Sequence, residues 1–345
     1  MKIGIIGSGL SGLVAGKELA KTGHEVIIFE KKSKHGGRLA TTCAEDDATL
    51  IDYGSGYITA QDPVFISFVE ELIENDLLTE WTDHFQLYDG VTMHNVNPNV
   101  GYGTYYAATK GMSSIANYLS RWVDIRQGAK VGGLTHIGRD RNKKRSWMLN
   151  LTDFSVVELD AVIIATPSVE AYGLIHMTQD ETPSKKIIRV IDEIKYEASY
   201  SLMYGYKGKD QPDWNGIEVS DEVIAWISNE SSKPRPAEST AIVAKSTNAF
   251  AKKYKQADEE TVVSLMEEKL QKIFKNDYHF PEWRKLQHWK YERVINPIDD
   301  FYLEMEMQEA PLSLIGNYYK ASTIEAAYLS GYKLAKHWAE KYRGK

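Results

Sequence analysis

Residues 2–30 read KIGIIGSGLSGLVAGKELAKTGHEVIIFE, and this stretch decides the fold. Lys2 to Ile6 is a short apolar run that meets Gly7, the pattern of a buried strand. Ser11 to Lys21 carries Leu13, Val14, Leu19 and Ala20 at helical spacings, and Gly23 stops it. Glu25 to Glu30, with Val26, Ile27, Ile28 and Phe29, reads as a second buried strand. Strand, helix and strand within 30 residues form a βαβ unit, parallel and right-handed. Between the first strand and the helix stands Gly7-Ser8-Gly9-Leu10-Ser11-Gly12, a G-x-G-x-x-G run. Gly7 allows the tight turn, Gly9 lets the backbone approach a pyrophosphate, and Gly12 permits close helix packing. A helix start offers that pyrophosphate unpaired N–H groups and partial positive charge. A glycine-rich turn in an ordinary βαβ unit would explain the glycines alone. It would not explain Glu30, which ends the second strand eighteen residues after Gly12, where an acid accepts hydrogen bonds from ribose hydroxyls.

The motif begins seven residues into the chain, and Gly36-Gly37-Arg38 follows the acid closely. A second glycine pair lets another loop close over the pyrophosphate, and the guanidinium sets a cation against two negative charges. Both features point to FAD rather than NAD.

Composition narrows the field further. The chain has 345 residues, 43% hydrophobic and 26% charged, enough for about two domains without disulfides or a structural metal. Its single cysteine, Cys43, excludes a dithiol pair and a cysteine-rich zinc site, so redox chemistry must ride on a bound cofactor. A formal charge of −7 argues against nucleic acid and anionic membrane as partners. No run approaches the ~18 apolar residues of a membrane span, and Met1 leads straight into the glycine motif rather than a secretory leader. The expected location is the cytoplasm. The nine histidines show no H-x-x-x-H spacing, and no metal is expected.

Further along, Pro63 to Leu78 has the apolar spacing of a helix, and Trp81 to Tyr106 is aromatic and irregular, with Asn95, Asn97, Pro98, Asn99, Gly101 and Gly103 as turn signals. Gly111-Met112 opens another helix. Strand-like runs surround Val131, Trp147 to Leu151 and Val156, the first two joined by a basic turn, Arg139 to Arg145, that reads as an exposed hairpin tip. Leu159 to Ala165 is a near-continuous apolar strand. Residues 170 to 300 read as mixed α/β, with helices near 183–195 and 258–274 and strands at Tyr200 to Tyr206, Val223 to Ile227 and Ala241 to Ser246. A strand at Pro311 to Gly316 and a helix from Ser322 to Tyr342 close the chain.

These residues resemble the flavin amine oxidase superfamily, and within it the renalase-like oxidoreductases. The carriers are Gly36-Gly37-Arg38-Leu39-Ala40-Thr41-Thr42-Cys43 and Asp52-Tyr53-Gly54-Ser55-Gly56-Tyr57-Ile58-Thr59-Ala60, the latter similar to a D-x-G-A-Q-Y-[FI]-T segment. Gly111-Met112-Ser113, Ala165-Thr166-Pro167, His288-Trp289-Lys290-Tyr291, Gly316-Asn317 and the run from Ile324 to Gly331 extend the likeness to both chain ends. Two positions depart from the pattern: Asn317 stands where the family has Asp, and Gly56 where it has Gln. The resemblance implies an α/β fold, a Rossmann-like FAD-binding domain of the amine-oxidase and p-hydroxybenzoate-hydroxylase type with an inserted mixed α/β substrate domain. The FAD-binding segments would be 1–60, 107–170 and 308–345, and the substrate segments 61–106 and 171–307.

It further implies that Ser11, Glu30, Gly37, Arg38, Gly56, Tyr57, Thr166, Gly316, Asn317 and Ile324 lie along FAD beside Gly7, Gly9 and Gly12. Ile324 would act through its backbone N–H at a helix start, and Val131 would hold the adenine end or serve as an ordinary strand valine. Tyr57, Tyr106, Trp289 and Tyr291 would receive the substrate, with Tyr88, Tyr102 and Tyr105 as further aromatic wall residues or plain packing. His288 reads as a surface or satisfied histidine, Cys43 as a buried inert thiol, and Asp46-Asp47 as an acidic turn. The implied reaction is hydride transfer from a 2- or 6-dihydro-NAD(P) isomer to flavin N5, with O2 reduced to hydrogen peroxide. No side chain is expected to act as a general base. Amine oxidation, desaturation and a non-catalytic FAD-binding role are the alternatives, and the oligomeric state is open.

Overall fold

A computed structural model describes residues 1–46, 48–97, 103–137, 145–176, 181–207, 211–275, 281–305 and 310–344, with the side chains at 176 and 181–186 outside the description. The expectations for Pro98, Asn99, Gly101, Tyr102, Asp47 and the basic turn from Arg139 to Lys144 lie outside the described residues. The chain forms two compact units, one of residues 1–38, 116–195 and 294–345, the other of 39–115 and 196–293. Residues 39–60 and 107–115, grouped from the sequence with the FAD-binding segments, pack in the second unit. Residues 171–195 and 294–307, grouped with the substrate segments, pack in the first. A hairpin of Thr41–Cys43 and Leu50–Asp52 is held by buried charges within the second unit, and helix Glu181–Asp192 buries Ile187 and Ile191 in the first.

The first unit is built on a six-stranded sheet. Its order is Leu303–Met305, Leu312–Leu314, Ala161–Ile164, Lys2–Ile6 (β1), Glu25–Glu30 (β2) and Asp124–Gln127. All neighbours run parallel except the edge strand Leu303–Met305. A central parallel strand is covered on both faces, hence the unbroken apolar runs. Ile3, Ile5, Ile28 and Ala161 to Ile164 are fully buried, each large aliphatic contributing about 1.5–3 kcal/mol. The sequence run from Leu159 divides in two: Leu159 ends the preceding strand, and Asp160 turns the chain by accepting from the Lys2 N–H at 2.6 Å. The three strand-like runs read from the sequence are Val131–His136, Trp147–Leu151 and Val156–Leu159, which the structure joins in one antiparallel sheet.

Helix α1, Leu10–Lys21, joins β1 to β2, and the closing helix Ile324–Lys341 packs along it. The closing helix buries Ala327, Ser330, Gly331, Leu334 and Trp338, a stripe at helical spacing. At the crossing, a methyl on Gly331 would lie 2.2 Å from the Ser11 carbonyl oxygen.

The second unit carries a seven-stranded sheet in the order Trp283–Val294, Tyr196–Lys207, Ser239–Ser246, Ile224–Asn229, Gly216–Val219, Gln86–Tyr88 and Met93–His94. Helices Asn248–Lys253 and Glu259–Ile273 bury Phe250, Val262, Met266 and Leu270 against Leu202, Ile217 and Ile242. The long strand at 283–294 and the short strands inside the aromatic stretch 81–106 were not legible as strands, because their charged or turn-rich sequences lack a clean period of two. Among the described residues no helix is long and apolar enough to cross a membrane.

Gly331→Ala lowers stability by about 1–3 kcal/mol in equilibrium urea unfolding, because backbone stands where the methyl must go. Gly173→Ala, inside helix Ser168–His176 with nothing within 4 Å of its added carbon, raises it by about 0.5–1 kcal/mol. Equal stability of Gly331→Ala and wild type would contradict this helix contact.

Candidate functional site

In the first unit, four adjacent parallel strands end side by side. Ile315 N–H donates to Ile164 O, Ala165 N–H to Ile6 O and Gly7 N–H to Phe29 O, at 2.8 to 3.0 Å. This ladder aligns Gly316 and Asn317, Thr166, Gly7 and Glu30 along the carboxyl edge of the sheet, where open α/β sheets bind ligands. Gly7 takes φ +103°, and a methyl there would meet Ala165 O at 2.8 Å. A methyl on Gly12 would lie 2.2 Å from Gly7 O, so the helix start is pressed onto the turn.

The second glycine pair lies on the first. Gly36 N–H donates to Ser8 O at 2.9 Å, and Gly37, at φ +60°, approaches the Gly9 backbone. Arg38 follows, half-buried. Glu30 is buried, and its carboxylate accepts from Ser8 N–H at 3.2 Å, Ser8 Oγ at 2.5 Å and Lys32 N–H at 2.9 Å. The acid read as a ribose acceptor thus also braces the glycine loop. Ala129 N–H donates to Glu30 O, which brings Val131, two residues on, to the same end of the sheet. Gly316 N–H donates to Ser330 Oγ, and Asn317 Nδ2 to Ser322 Oγ, both at 3.0 Å. Ile324 opens the closing helix, whose N-cap Thr323 accepts from Ala326 N–H.

Three observations fit this edge to a dinucleotide. Nothing lies within 4 Å of a carbon added at Gly9. Helix α1 has no capping side-chain bond and no acid in its first turn, leaving its dipole available to an anion. Thr166 Oγ1 is buried without a hydrogen-bond partner among the described residues.

The second unit gathers the remaining candidates into aromatic groups. Tyr57 packs against Phe85, Tyr105 and Trp226 at centroid distances of 5.2 to 5.6 Å. Its neighbour Ile58 exchanges both backbone bonds with Tyr106 at 2.9 Å, so it is Tyr105, not Tyr106, whose ring meets Tyr57. Burial, with Tyr105 and Glu218 nearby, pushes the Tyr57 phenol up to about 12. Trp289 stacks on Tyr53 at 5.7 Å, and its indole N–H is shared between Tyr53 O and Ser201 Oγ, each at 3.1 Å. Tyr291 packs edge-on against Tyr196. His288 stacks on Tyr200 at 4.5 Å, and Tyr88 is packed onto the helix-bearing core. Cys43, read as buried, is only half-buried, at the end of a short strand in a two-stranded hairpin.

A cluster that sequence reading missed ties this unit together. Lys233 and Arg235, on the loop after strand Ile224–Asn229, meet Asp52 and Glu230, and all four side chains are at most 1% exposed. Lys233 Nζ donates to Asp52 Oδ2 at 3.0 Å, Glu230 Oε2 at 2.7 Å and Gly56 O at 2.8 Å. Arg235 bonds Asp52 Oδ2, Glu230 Oε2, Leu50 O and Ala108 O. Asp52 Oδ1 accepts from Thr41 Oγ1 and from Met112 N–H, and Ser228 Oγ donates to Glu230 Oε1. Burial pushes the Asp52 carboxyl up, but Lys233 and Arg235 outweigh it and hold the group well below its ordinary 3.8. The only sequence signal was the cationic pair in Glu230-Ser-Ser-Lys-Pro-Arg235, which looks like a solvated loop.

Two outcomes follow from this geometry. Gly9→Ala keeps the melting temperature but weakens FAD binding about tenfold or more in a fluorescence titration, whereas Gly12→Ala destabilises the fold itself. Unchanged affinity in Gly9→Ala would show that nothing is bound against that residue. Asp52→Asn is less stable than wild type by about 3–5 kcal/mol near neutral pH, since it leaves a buried cation uncompensated. A carboxyl depressed in the folded state contributes stability above its unfolded pKa of about 3.9, and loses it as pH falls toward the folded value. The gap between variant and wild type in urea titrations therefore narrows below about pH 4, and a gap constant with pH would contradict it.

Comparison with known proteins agrees with this geometry. Residues 5–72 match the NAD(P)-binding Rossmann-like domain model, and residues 90–337 match the flavin containing amine oxidoreductase model. The chain is 48% identical over 54 residues to 4,4'-diapolycopen-4-al dehydrogenase of Metabacillus indicus, covering 16% of this chain and 11% of the relative. It is 24% identical over 213 residues to 15-cis-phytoene desaturase of Synechococcus elongatus, covering 59% of this chain and 43% of the relative. The aligned parts thus span less than half the length of these relatives. Cyclohexylamine oxidase from Brevibacterium oxydans IH-35A shares the fold, with a TM-score of 0.77 at 11% identity over 99% of each chain. With the family model spanning most of the sequence and a strand edge shaped for FAD, the chain belongs to the flavin-containing amine oxidoreductase family.

Proposed function

We propose that the protein is an FAD-dependent oxidoreductase that oxidises a 2- or 6-dihydro-NAD(P) isomer to NAD(P)+. The observation that carries this reading is the pair of aromatic groups in the second unit, Tyr57 with Phe85, Tyr105 and Trp226, and Trp289 with Tyr53. Their polar ends carry no charge: the Trp289 N–H is committed within the protein, and burial holds the Tyr57 phenol in its neutral form. What they offer a substrate is flat apolar surface, suited to a planar ring. When bound, FAD supplies a hydride acceptor at N5 and passes two electrons to O2. In balance, the dihydropyridine C–H bond breaks, the ring leaves as an aromatic cation, and O2 with one proton from solvent becomes hydrogen peroxide. Departure as an aromatic cation needs no base, so the protein's part is binding and orientation.

On this reading Gly7, Gly9, Ser11, Gly12, Glu30, Gly37, Arg38, Val131, Thr166, Gly316, Asn317 and Ile324 hold the cofactor together with Gly56 and Tyr57. Tyr57, Tyr106, Trp289 and Tyr291 receive the substrate. The functional division is then 1–60, 107–170 and 308–345 for FAD, and 61–106 and 171–307 for substrate. A second reading, amine oxidation or desaturation of another small molecule, is favoured by the family match and the desaturase alignment.

Anaerobic mixing of the flavin-loaded protein with borohydride-reduced NAD isomers, ordinary β-NADH and simple amines separates the two. Bleaching of the visible flavin band by the isomers alone is expected. Bleaching only by amines would overturn the first reading in favour of the second.

A further inference from the structure

The seven-stranded sheet of the second unit has two unlike faces. Along Tyr196–Lys207 and Ser239–Ser246, the side chains of Tyr200, Leu202, Ile242 and Ala244 pack with the helix-borne Phe250, Val262 and Met266. The alternate residues Met203, Ala241 and Val243 face the other way, toward Ala44, Ile51 and Tyr53. Side chains alternate along a strand, so Ser201 and Lys245 share this second face. Register extends it into a row: Trp226 lies opposite Lys245, Lys245 lies opposite Ser201, and the Ser201 hydroxyl accepts from the Trp289 indole N–H at 3.1 Å. The two aromatic groups, Tyr57 with Trp226 and Tyr53 with Trp289, therefore stand at the two ends of one cross-strand row. Strands about 4.8 Å apart set those ends about 14 Å apart, with a lysine between them.

The Lys245 ammonium reaches Glu292 Oε1 at 2.7 Å, and the two side chains are 21% and 23% exposed. Glu292 is on Trp283–Val294, and strand Tyr196–Lys207 runs between that strand and the one bearing Lys245. A side chain cannot pass through a sheet, so the pair bridges the intervening strand on the aromatic face. The row's other acid, Glu218 opposite Trp226, is bonded to the Asn97 amide at 2.6 Å and brings no cation. A partly exposed ion pair adds little to stability. Between aromatic walls it supplies a strong donor beside a strong acceptor, with no net charge.

We propose that Lys245 and Glu292 bind the primary carboxamide of a planar ring held at this face, the ammonium donating to the amide oxygen and the carboxylate accepting from the amide NH2. This rests on the reading that the aromatic groups receive a dihydronicotinamide, and it names the group by which the ring is recognised. Glu292 takes one of the three ammonium protons, and a carboxylate has about four acceptor sites, so the pair can stay formed while it holds the amide. A carboxylate on the ring would gain from Lys245 but set its charge against Glu292, and an alkylammonium would do the reverse. The pair thus selects a neutral amide over either ion. Both charged residues and both aromatic groups lie within the second unit.

The test titrates the flavin-loaded protein with NAD+, with nicotinic acid adenine dinucleotide, in which a carboxylate replaces the carboxamide, and with ADP-ribose, which lacks the ring. Affinities come from isothermal calorimetry, and melting temperatures show that Lys245→Met and Glu292→Gln are folded. Wild type binds NAD+ about tenfold more tightly than either of the other two. Lys245→Met weakens NAD+ about tenfold and leaves ADP-ribose unchanged. Glu292→Gln, whose NH2 donates to a carboxylate, binds the acid dinucleotide about tenfold more tightly than wild type does, a gain that loss of packing would not produce. Equal affinity of wild type for NAD+ and ADP-ribose overturns the reading that a nicotinamide ring is received here, and this inference with it. Preference for NAD+ over ADP-ribose, with the acid bound as well as the amide and Glu292→Gln unchanged, overturns the carboxamide role of the pair alone.

Discussion

A hydrogen atom stands at Gly12 where any other residue would place a carbon 2.2 Å from the Gly7 carbonyl, and the first unit depends on that contact. It brings the start of helix α1 down onto the turn that ends β1, so the helix N–H groups emerge at the carboxyl edge of the sheet. The same closeness recurs one layer out, where Gly331 lets the closing helix lie against Ser11. Parts of the chain more than 300 residues apart are thereby locked around one turn. The ladder through Ile315, Ala165 and Gly7 then sets Thr166, Gly316 and Asn317 in line with it. A cofactor edge assembled this way owes its shape to backbone approach rather than to side-chain chemistry.

The second unit is organised by charge. Asp52, Glu230, Lys233 and Arg235 form a balanced set that is shielded from water. Burying four charges gives little net stability, because desolvation cancels most of the attraction. Losing any one of them leaves a partner uncompensated, so the set penalises every arrangement but one. It joins the strand pair Thr41–Cys43 and Leu50–Asp52, the helix start at Met112 and the loop at 228–235. A glycine-rich segment such as 54–56 gains its order from this framework.

Much of the first unit was legible because its signals are local. The glycine spacing, the two apolar runs and Glu30 each have one physical reading, and the strand and helix they imply occur where the residues place them. Glu30 shows the limit of that reading, since its bonds to Ser8 give it a second task that spacing could not reveal. The second unit was less legible. Strand 283–294 alternates poorly and carries four cationic residues, so its hydrophobic pattern is weak. Trp289 was picked out, but its N–H could have pointed to a ligand; only the stacked Tyr53 and Ser201 show that it does not.

By itself the sequence determined the dinucleotide-binding βαβ unit, the choice of FAD over NAD, and the glycines at which backbone packs closely around the first turn. Steric need acts between neighbours a few residues apart, and glycine spacing records it directly. Only the tertiary structure decided how the chain divides into compact units, which aromatic residues pair, and that Lys233 and Arg235 are buried. Those outcomes depend on charges and rings more than 100 residues apart in sequence meeting in a low-dielectric interior. A lysine written beside prolines and serines looks like a solvated side chain until the carboxylates that neutralise it are in place.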